Sequence, residues 1–357
     1  MSTVASRAEG PSWASGLLGR PFVTLPFDYL FVGGGLSLVL TAYLLSGGAS
    51  WASALLQAQL PALILLSNSA HFAASTVRLY TKKDGFESFP FLTMVLPLVS
   101  IVVLSAGVLG PETLGRGLQA LYLTWSPYHY AAQAYGLALM YGYRSGSTFG
   151  EAERLWLRLS CLCPFLFAFV SSSEAGLGWL VPRSLLSLPI LENLRAVAAT
   201  GLKALSFLLP VGLFLWLLRG TRPRLPLLSL LVVVANGIWW ITLVYMQAFV
   251  WATVFHGLQY LAIVVIFHVR ERVAAPGNTA SWWSHALRFY LACLVLGFLL
   301  FQVWPYGYVL LGFTLAQSLL LVTAVINIHH FVVDAYIWRL RRDPNYAVVT
   351  AAVPAGA

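Results

Sequence analysis

Apolar residues run along this chain in blocks of about 20, the length an α-helix needs to cross the hydrocarbon core of a bilayer. The alternation of half-buried strands is missing, and so is any repeat at the period of about 20–50 residues that marks solenoids. Ten blocks can be placed, near 27–47, 53–77, 89–110, 114–141, 155–176, 200–218, 225–246, 248–269, 286–304 and 307–338. The pattern predicts an all-α fold, a polytopic integral-membrane bundle of about ten transmembrane helices. It forms a single domain over 27–338 between tails at 1–26 and 339–357. The stretch 177–199 breaks the pattern with Pro182, Arg183, Pro189, Glu192 and Arg195, and is expected to lie at the interface as a loop or short surface helix. Gly33-Gly34-Gly35 falls inside the first block and reads as a place of close helix packing. Asp28 opens the same block and reads as its N-cap.

Four blocks are interrupted by polar residues, and every interruption contains histidine. The second carries Ser67, His71, Ser75 and Arg78, with Asn68 beside them. The fourth carries Tyr122, Ser126, His129 and Gln133, with Tyr130 next to the histidine. The eighth carries Thr253, His256 and Tyr260, with Gln259. The tenth carries Thr323, Asn327, His330 and Asp334, with His329. Spacings of three and four keep side chains on one helix face, so each helix presents a polar stripe. His329 lies about 100° round the helix from His330. Ionisable side chains in a bilayer are costly and usually face a bundle interior or a cavity, so four stripes point to one shared buried site.

Basic residues set the orientation. Grouping the N-terminal tail, the loops after the even-numbered helices and the C-terminal tail on one side collects 17 of the 21 Lys and Arg. The other side holds Arg116, Arg183, Arg195 and Lys203. The positive-inside rule then puts both termini in the cytoplasm. All four histidine helices run inward, and at about 1.5 Å per residue His71 lies roughly 10 Å before Arg78 and His330 roughly 14 Å before Arg339. His129 and His256 each lie roughly 20 Å before Arg144 and Arg270. The site is expected in the cytoplasmic half of the membrane. The first 25 residues contain no continuous apolar h-region, so the first span is expected to act as an uncleaved targeting signal.

Composition narrows the class. Of 357 residues, 59% are hydrophobic and 9% charged, against about 25% charged in soluble domains, and the mean hydropathy is +0.79. The net charge of +9 sits in short loops and does not point to nucleic acid. Arginine outnumbers lysine 18 to 3, as GC-rich coding favours, which suggests a bacterial inner membrane. Cys161, Cys163 and Cys293 lie in apolar blocks without a C-x-x-C pair and read as buried hydrophobes. His268 and His285, at helix ends, read as interfacial residues, and Trp239, Trp240, Trp282, Trp283, Trp304 and Trp338 as aromatic belts.

Neutral imidazole binds iron, copper, zinc and nickel. The expected ligands are His71, His129, His256 and His330, with His329 as a fifth candidate. Asp334, one turn after His330, either orients a ligand or binds metal itself. Gln133, Gln259, Asn68 and Asn327 would orient the others or contact the cofactor, and Tyr260 or Tyr130 would donate protons. Asp334 is the one acid deep in a span, which disfavours a four-glutamate di-iron site. No H-E-x-x-H, P-loop, G-x-S-x-G or G-x-G-x-x-G stands where its chemistry needs it.

The histidine-rich, cytoplasm-facing site resembles membrane-bound fatty-acid desaturases and hydroxylases. Their H-x-x-H-H boxes are represented here by the His329-His330 doublet, and the resemblance implies histidine-bound iron. Ser67-x-x-x-His71 resembles the first motif of the alkaline ceramidase and progestin-receptor-like hydrolases, which implies zinc. Where those have a final H-x-x-x-H, this chain has His330-x-x-x-Asp334.

The residues therefore predict a membrane oxidoreductase that hydroxylates, desaturates or oxidatively cleaves a lipid or isoprenoid-like substrate. Iron is the favoured metal, with copper, zinc or haem as alternatives. Electrons would come from a separate donor protein, since no flavin or nicotinamide motif is present. The competing expectations are an intramembrane zinc lipid hydrolase, a proton- or ion-coupled transporter with a histidine-lined cavity, and a purely structural set of interhelical hydrogen bonds.

Overall fold

The protein is described by a computed structural model over residues 13–46, 59–82, 85–219, 224–241 and 248–338. Among the described residues all regular structure is helical. The long elements are α1 (Leu25–Val32), α2 (Gly35–Leu45), α3 (Gln59–Thr81), α4 (Phe91–Leu109), α5 (Arg116–Arg144), α6 (Glu151–Ser171), α7 (Pro189–Leu217), α8 (Leu227–Ile241), α9 (Ala248–Val273), α10 (Trp282–Leu310) and α11 (Leu315–Ile337). Among the described residues seven helices are long and apolar enough to cross a membrane, and α1 with α2 makes an eighth if that bent pair is one span. Helix α8 is apolar but shorter. Helix α5 is long enough, but its polar stripe keeps it out of the apolar set. The described residues are thus all-helical and include the long apolar helices of a multi-pass membrane protein. Residues 1–12, 47–58, 83–84, 220–223, 242–247 and 339–357 lie outside the described residues, so the start of the second predicted block, the end of the seventh and the C-terminal tail fall there.

The helices form an inner and an outer set. About 72% of the apolar window of α9, 61% of α11 and 50% of α3 is buried, against 33% for α4, 28% for α6 and α10, and 17% for α7. The inner helices are those with polar stripes. Helix α3 packs on both α9 and α11, and α11 also packs on α5. Helix α10 covers α3 and α9, α4 covers α11, and α6 and α7 pair on the far side of α5 and α8. A helix with polar side chains must turn them away from hydrocarbon, so the stripes themselves dictate which helices go inside.

Several boundaries differ from the sequence reading. The first block is not one helix. Gly34 adopts φ +82°, a left-handed conformation that suits glycine, and α1 and α2 meet at 61°. The glycines also pack closely, since a Cβ on Gly33 would stand 2.9 Å from Leu228 and one on Gly34 2.6 Å from Ala235. The N-cap is Thr24, whose Oγ1 accepts from Phe27 N at 3.3 Å. Asp28 is instead fully buried and accepts from Phe22 N (2.6 Å), Val23 N (3.0 Å) and the Tyr141 hydroxyl (2.7 Å). Helix α7 begins at Pro189 rather than near 200, because proline suits the first helical turn. Arg195 on its first turns donates to Val170 O at 3.1 Å, tying it to α6. Residues 307–310 belong to α10, and α11 starts only after Thr314, whose Oγ1 accepts from Gln317 N at 3.3 Å. Cys161, Cys163 and Cys293 are free and buried. Trp239 and Trp240 are core residues rather than belt residues, and Trp239 Nε1 donates to Ser37 Oγ at 2.9 Å.

Candidate metal centre

Helices α3, α5, α9 and α11 each deliver one histidine to a common point. His71 and His129 both flank His256 and His330, so the four rings close a circuit. Centroids are 4.7 Å apart for His71 and His256, 4.4 Å for His71 and His330, 5.1 Å for His129 and His256, and 5.0 Å for His129 and His330. Across the circuit His71 and His129 are 6.4 Å apart. All four side chains are buried. His71, His129 and His330 each offer a ring nitrogen within 4.8 Å of the other two, a set that could hold a metal ion.

A second set overlaps the first. His330 Nε2 lies 3.3 Å from His129 Nε2, and Asp334 Oδ2 lies 3.3 Å from His330 Nε2 and 3.8 Å from His129 Nε2. Ligand atoms bound at about 2.0–2.2 Å to one ion stand about 3–3.5 Å from each other. These three atoms are already near that spacing.

The surroundings of the second set fix its orientation. Ser75 Oγ is 2.9 Å from His330 Nδ1 and 3.2 Å from Phe72 O. In the tautomer that would leave Nε2 free to bind a metal, the serine proton goes to the carbonyl, Nδ1–H of His330 donates to Oγ and the Nε2 lone pair faces Asp334 and His129. Asp334 Oδ1 accepts from the Tyr260 hydroxyl at 2.7 Å, and the Tyr260 hydroxyl oxygen in turn accepts from Trp338 Nε1 at 3.2 Å. Arg78 lies at the other end of this chain of contacts. Its guanidinium stands 5.0 Å from the Trp338 ring and pairs with Glu271 at 2.8 Å. A chain of contacts thus runs from Glu271 and Arg78 through Trp338 and Tyr260 to Asp334.

The other half of the circuit differs. Both ring nitrogens of His71, both of His256 and Asn68 Oδ1 are buried without a hydrogen-bond partner. Each such atom costs about 1–3 kcal/mol if nothing meets it. The walls are aromatic. Phe72 lies 4.5 Å from His71, Phe331 4.6 Å from His129, and Tyr130 is stacked on His256 at 3.8 Å with its hydroxyl 3.1 Å from Thr253 Oγ1.

The remaining candidates lie elsewhere. Gln133 Nε2 donates to Gln259 Oε1 (2.8 Å), and Gln259 Nε2 donates to Val32 O (2.6 Å). This pair ties α5 and α9 to the end of α1. Asn327 Nδ2 donates to Thr323 O of its own helix at 2.7 Å. His329 is only half-buried, and the converging nitrogens do not include it. His268 packs on Phe289 at 4.3 Å and His285 bonds Asn278 at 2.8 Å, so both serve helix ends. Glu174 pairs with Arg183 on the surface. Trp338, assigned to a belt by its position, is instead one turn beyond Asp334 and belongs to the site's support. The i, i+4 spacing from Asp334 was the one signal for it.

Comparison with known proteins finds no matching family model, no match among curated proteins and no matching solved structure. The two local motif resemblances therefore stay local, and the site has to be read from its own atoms.

Proposed function

We propose that the chain is an integral-membrane metalloenzyme of the bacterial inner membrane, an oxidoreductase that acts on a lipid or isoprenoid-like substrate at a histidine-bound iron. In this reading about ten segments cross the bilayer, both termini are cytoplasmic, and the site faces the cytoplasmic half. The observation that supports it most directly is the spacing of His129 Nε2, His330 Nε2 and Asp334 Oδ2, at 3.3, 3.3 and 3.8 Å. Two histidines and one carboxylate on one face, with positions left open, are the ligand set of non-haem Fe(II) oxygenases. Haem is disfavoured, because a porphyrin held between His71 and His129 would have to pass through the space of His256 and His330, whose rings lie 4.4–5.1 Å from both.

The bound iron would supply activation of dioxygen. Hydroxylation places one oxygen atom in a C–H bond and reduces the other to water, with two electrons and two protons from a separate donor protein. Desaturation uses the same inputs and yields two waters. The chain's own residues have simpler tasks. Asp334 and His330 are held in register by Tyr260 and Ser75. Tyr260 holds a proton against Asp334 Oδ1. Phe72, Phe331 and Tyr130 keep water from the rings and match an apolar substrate entering from the bilayer.

One observation favours a second reading. His71, His129 and His330 form a three-histidine set, and catalytic zinc uses three histidines with a fourth position open to water. That would make the protein a lipid hydrolase.

The test starts from metal content and the optical spectrum of detergent-purified protein. The Fe(II)-loaded protein is then incubated with a total lipid extract, dioxygen and a chemical reductant. The expected result is bound iron and an oxygen-dependent product either one oxygen heavier or two hydrogens lighter, both lost in His129→Ala and His330→Ala. Stoichiometric zinc with an oxygen-independent hydrolytic product would move the assignment to the hydrolase. No bound metal and flux that follows a proton or ion gradient would replace both with a transporter.

A further inference from the structure

A single ion leaves half of the histidine circuit unserved. An ion on His129, His330 and Asp334 uses neither nitrogen of His71 nor either nitrogen of His256, and all four are fully buried without a partner. If His71 completes the first ion, three ring nitrogens still remain. His256 cannot join the first ion as placed, because it is not among the nitrogens that converge within 4.8 Å. Its ring nonetheless meets His71 edge to face at 4.7 Å.

The backbone of α3 also approaches the His256 helix closely. Helix α3 widens into a π-turn at Leu65–Ser69, directly before His71, and such turns gather at functional sites. The turn is seated between two glycines of neighbouring helices. A Cβ on Gly257, the residue after His256, would lie 3.0 Å from Ser67 C and 3.2 Å from Asn68 Cα. One on Gly297 would lie 2.7 Å from Ser69 C. This close approach sets Asn68 beside the His256 helix and one turn from His71. The Asn68 side chain is 9% exposed, and its Oδ1 has no partner.

We propose that His71, His256 and Asn68 hold a second metal ion, next to the first on His129, His330 and Asp334, so that the centre is dinuclear. The inference rests on the proposed metal centre. Two neutral imidazoles and one amide oxygen suit a divalent first-row ion such as iron, copper or zinc, and not calcium or magnesium, which need more oxygen ligands.

The test uses the full chain in detergent, stripped of metal and titrated with Zn²⁺ alone as a redox-silent probe, with bound zinc per chain counted by mass spectrometry after dialysis. Wild type is expected to bind two ions in two steps. His256→Ala should bind one, and Asn68→Ala should weaken the second step by roughly 10-fold, at the lower edge of what supporting ligands contribute. Replacing His268 and His285 by alanine should leave both steps unchanged, which removes adventitious surface binding from the count. Asn68→Asp adds a carboxylate to the second position without touching the first and should tighten the second step. It keeps the test valid if His256→Ala does not fold. One ion in wild type, with no response to His256→Ala or Asn68→Asp, overturns the second ion and leaves the first standing. No ion in wild type overturns both.

Discussion

The two halves of the histidine circuit are built differently. On the α11 side the site residues are hydrogen-bonded from behind: His330 has Ser75, Asp334 has Tyr260, and Tyr260 has Trp338. On the α3–α9 side His71 and His256 are equally buried and have none. The bonded half is already oriented, with His330 Nδ1 taken up by Ser75 and Nε2 turned to Asp334 and His129. The unbonded half is positioned by packing alone, by the glycines under the π-turn and by Tyr130 stacked on His256. Buried polar groups in proteins are nearly always satisfied, so in the proposed centre the contrast separates a preorganised part from a part whose partners would be the bound ions.

The largest effect is expected from removing the ligand at the centre of the bonded half. His330→Ala takes away a proposed metal ligand and the ring that Ser75 Oγ and Asp334 Oδ2 face. Iron content and oxygen-dependent turnover should both fall below detection, while helicity by circular dichroism stays near wild type. Iron retained at the wild-type level in this variant would remove the basis for the first ion.

Tyr260→Phe is a milder change in the same half. It keeps the ring against His71, 4.5 Å away, and removes only the hydroxyl that orients Asp334. Loss of a hydrogen bond behind a metal ligand typically costs about 10–100-fold in affinity or activity. A competition titration should show that loss in the first metal step, with the second unchanged. Equal weakening of both steps would mean that the halves are not separable. Ser75→Ala should follow the same pattern with a smaller loss, about 10-fold, and Ser75→Thr should restore part of it by keeping an oxygen opposite Nδ1.

Much of this arrangement was legible in the sequence because a bilayer forbids the alternatives. Polar stripes at spacings of three and four had to face inward, and His71, His129, His256 and His330 do meet. The adjacency of the four helices was not legible, because it depends on which outer helices cover which inner ones. The first block read as continuous because the apolar run passes straight through Gly33-Gly34-Gly35, and hydropathy carries no record of a positive φ. Asp28 read as a cap from its place at a block edge, whereas its partners Phe22, Val23 and Tyr141 are fixed by tertiary packing. Gln133, Gln259 and Asn327 were grouped with the site by helix face. Their hydrogen bonds go to Val32, to each other and to Thr323 because a backbone carbonyl freed at a helix end or offered one turn back is a nearer acceptor than the rings.

The smallest expected effects test the packed half and should appear in stability before activity. Gly257→Ala puts a Cβ 3.0 Å from the Ser67 carbonyl carbon and oxygen, and Gly297→Ala puts one 2.7 Å from those of Ser69. Both contacts are with backbone, which cannot rotate away, so the helices must separate. Overpacking of this kind costs about 1–3 kcal/mol, and the closer contact should cost more, so Gly297→Ala should lower the Tm further than Gly257→Ala. The metal steps should rank the other way. Gly257 directly follows His256 and touches Asn68, so moving it shifts two donors of the second position at once. Gly297 only supports the turn from behind. A thermal melt and a zinc titration on the two variants give four numbers with a crossed order. If Gly257→Ala melts lower and also leaves the second zinc step intact, packing at Ser67–Asn68 is not what places His256, and the α3–α9 half must be held by something other than the close approach of these backbones.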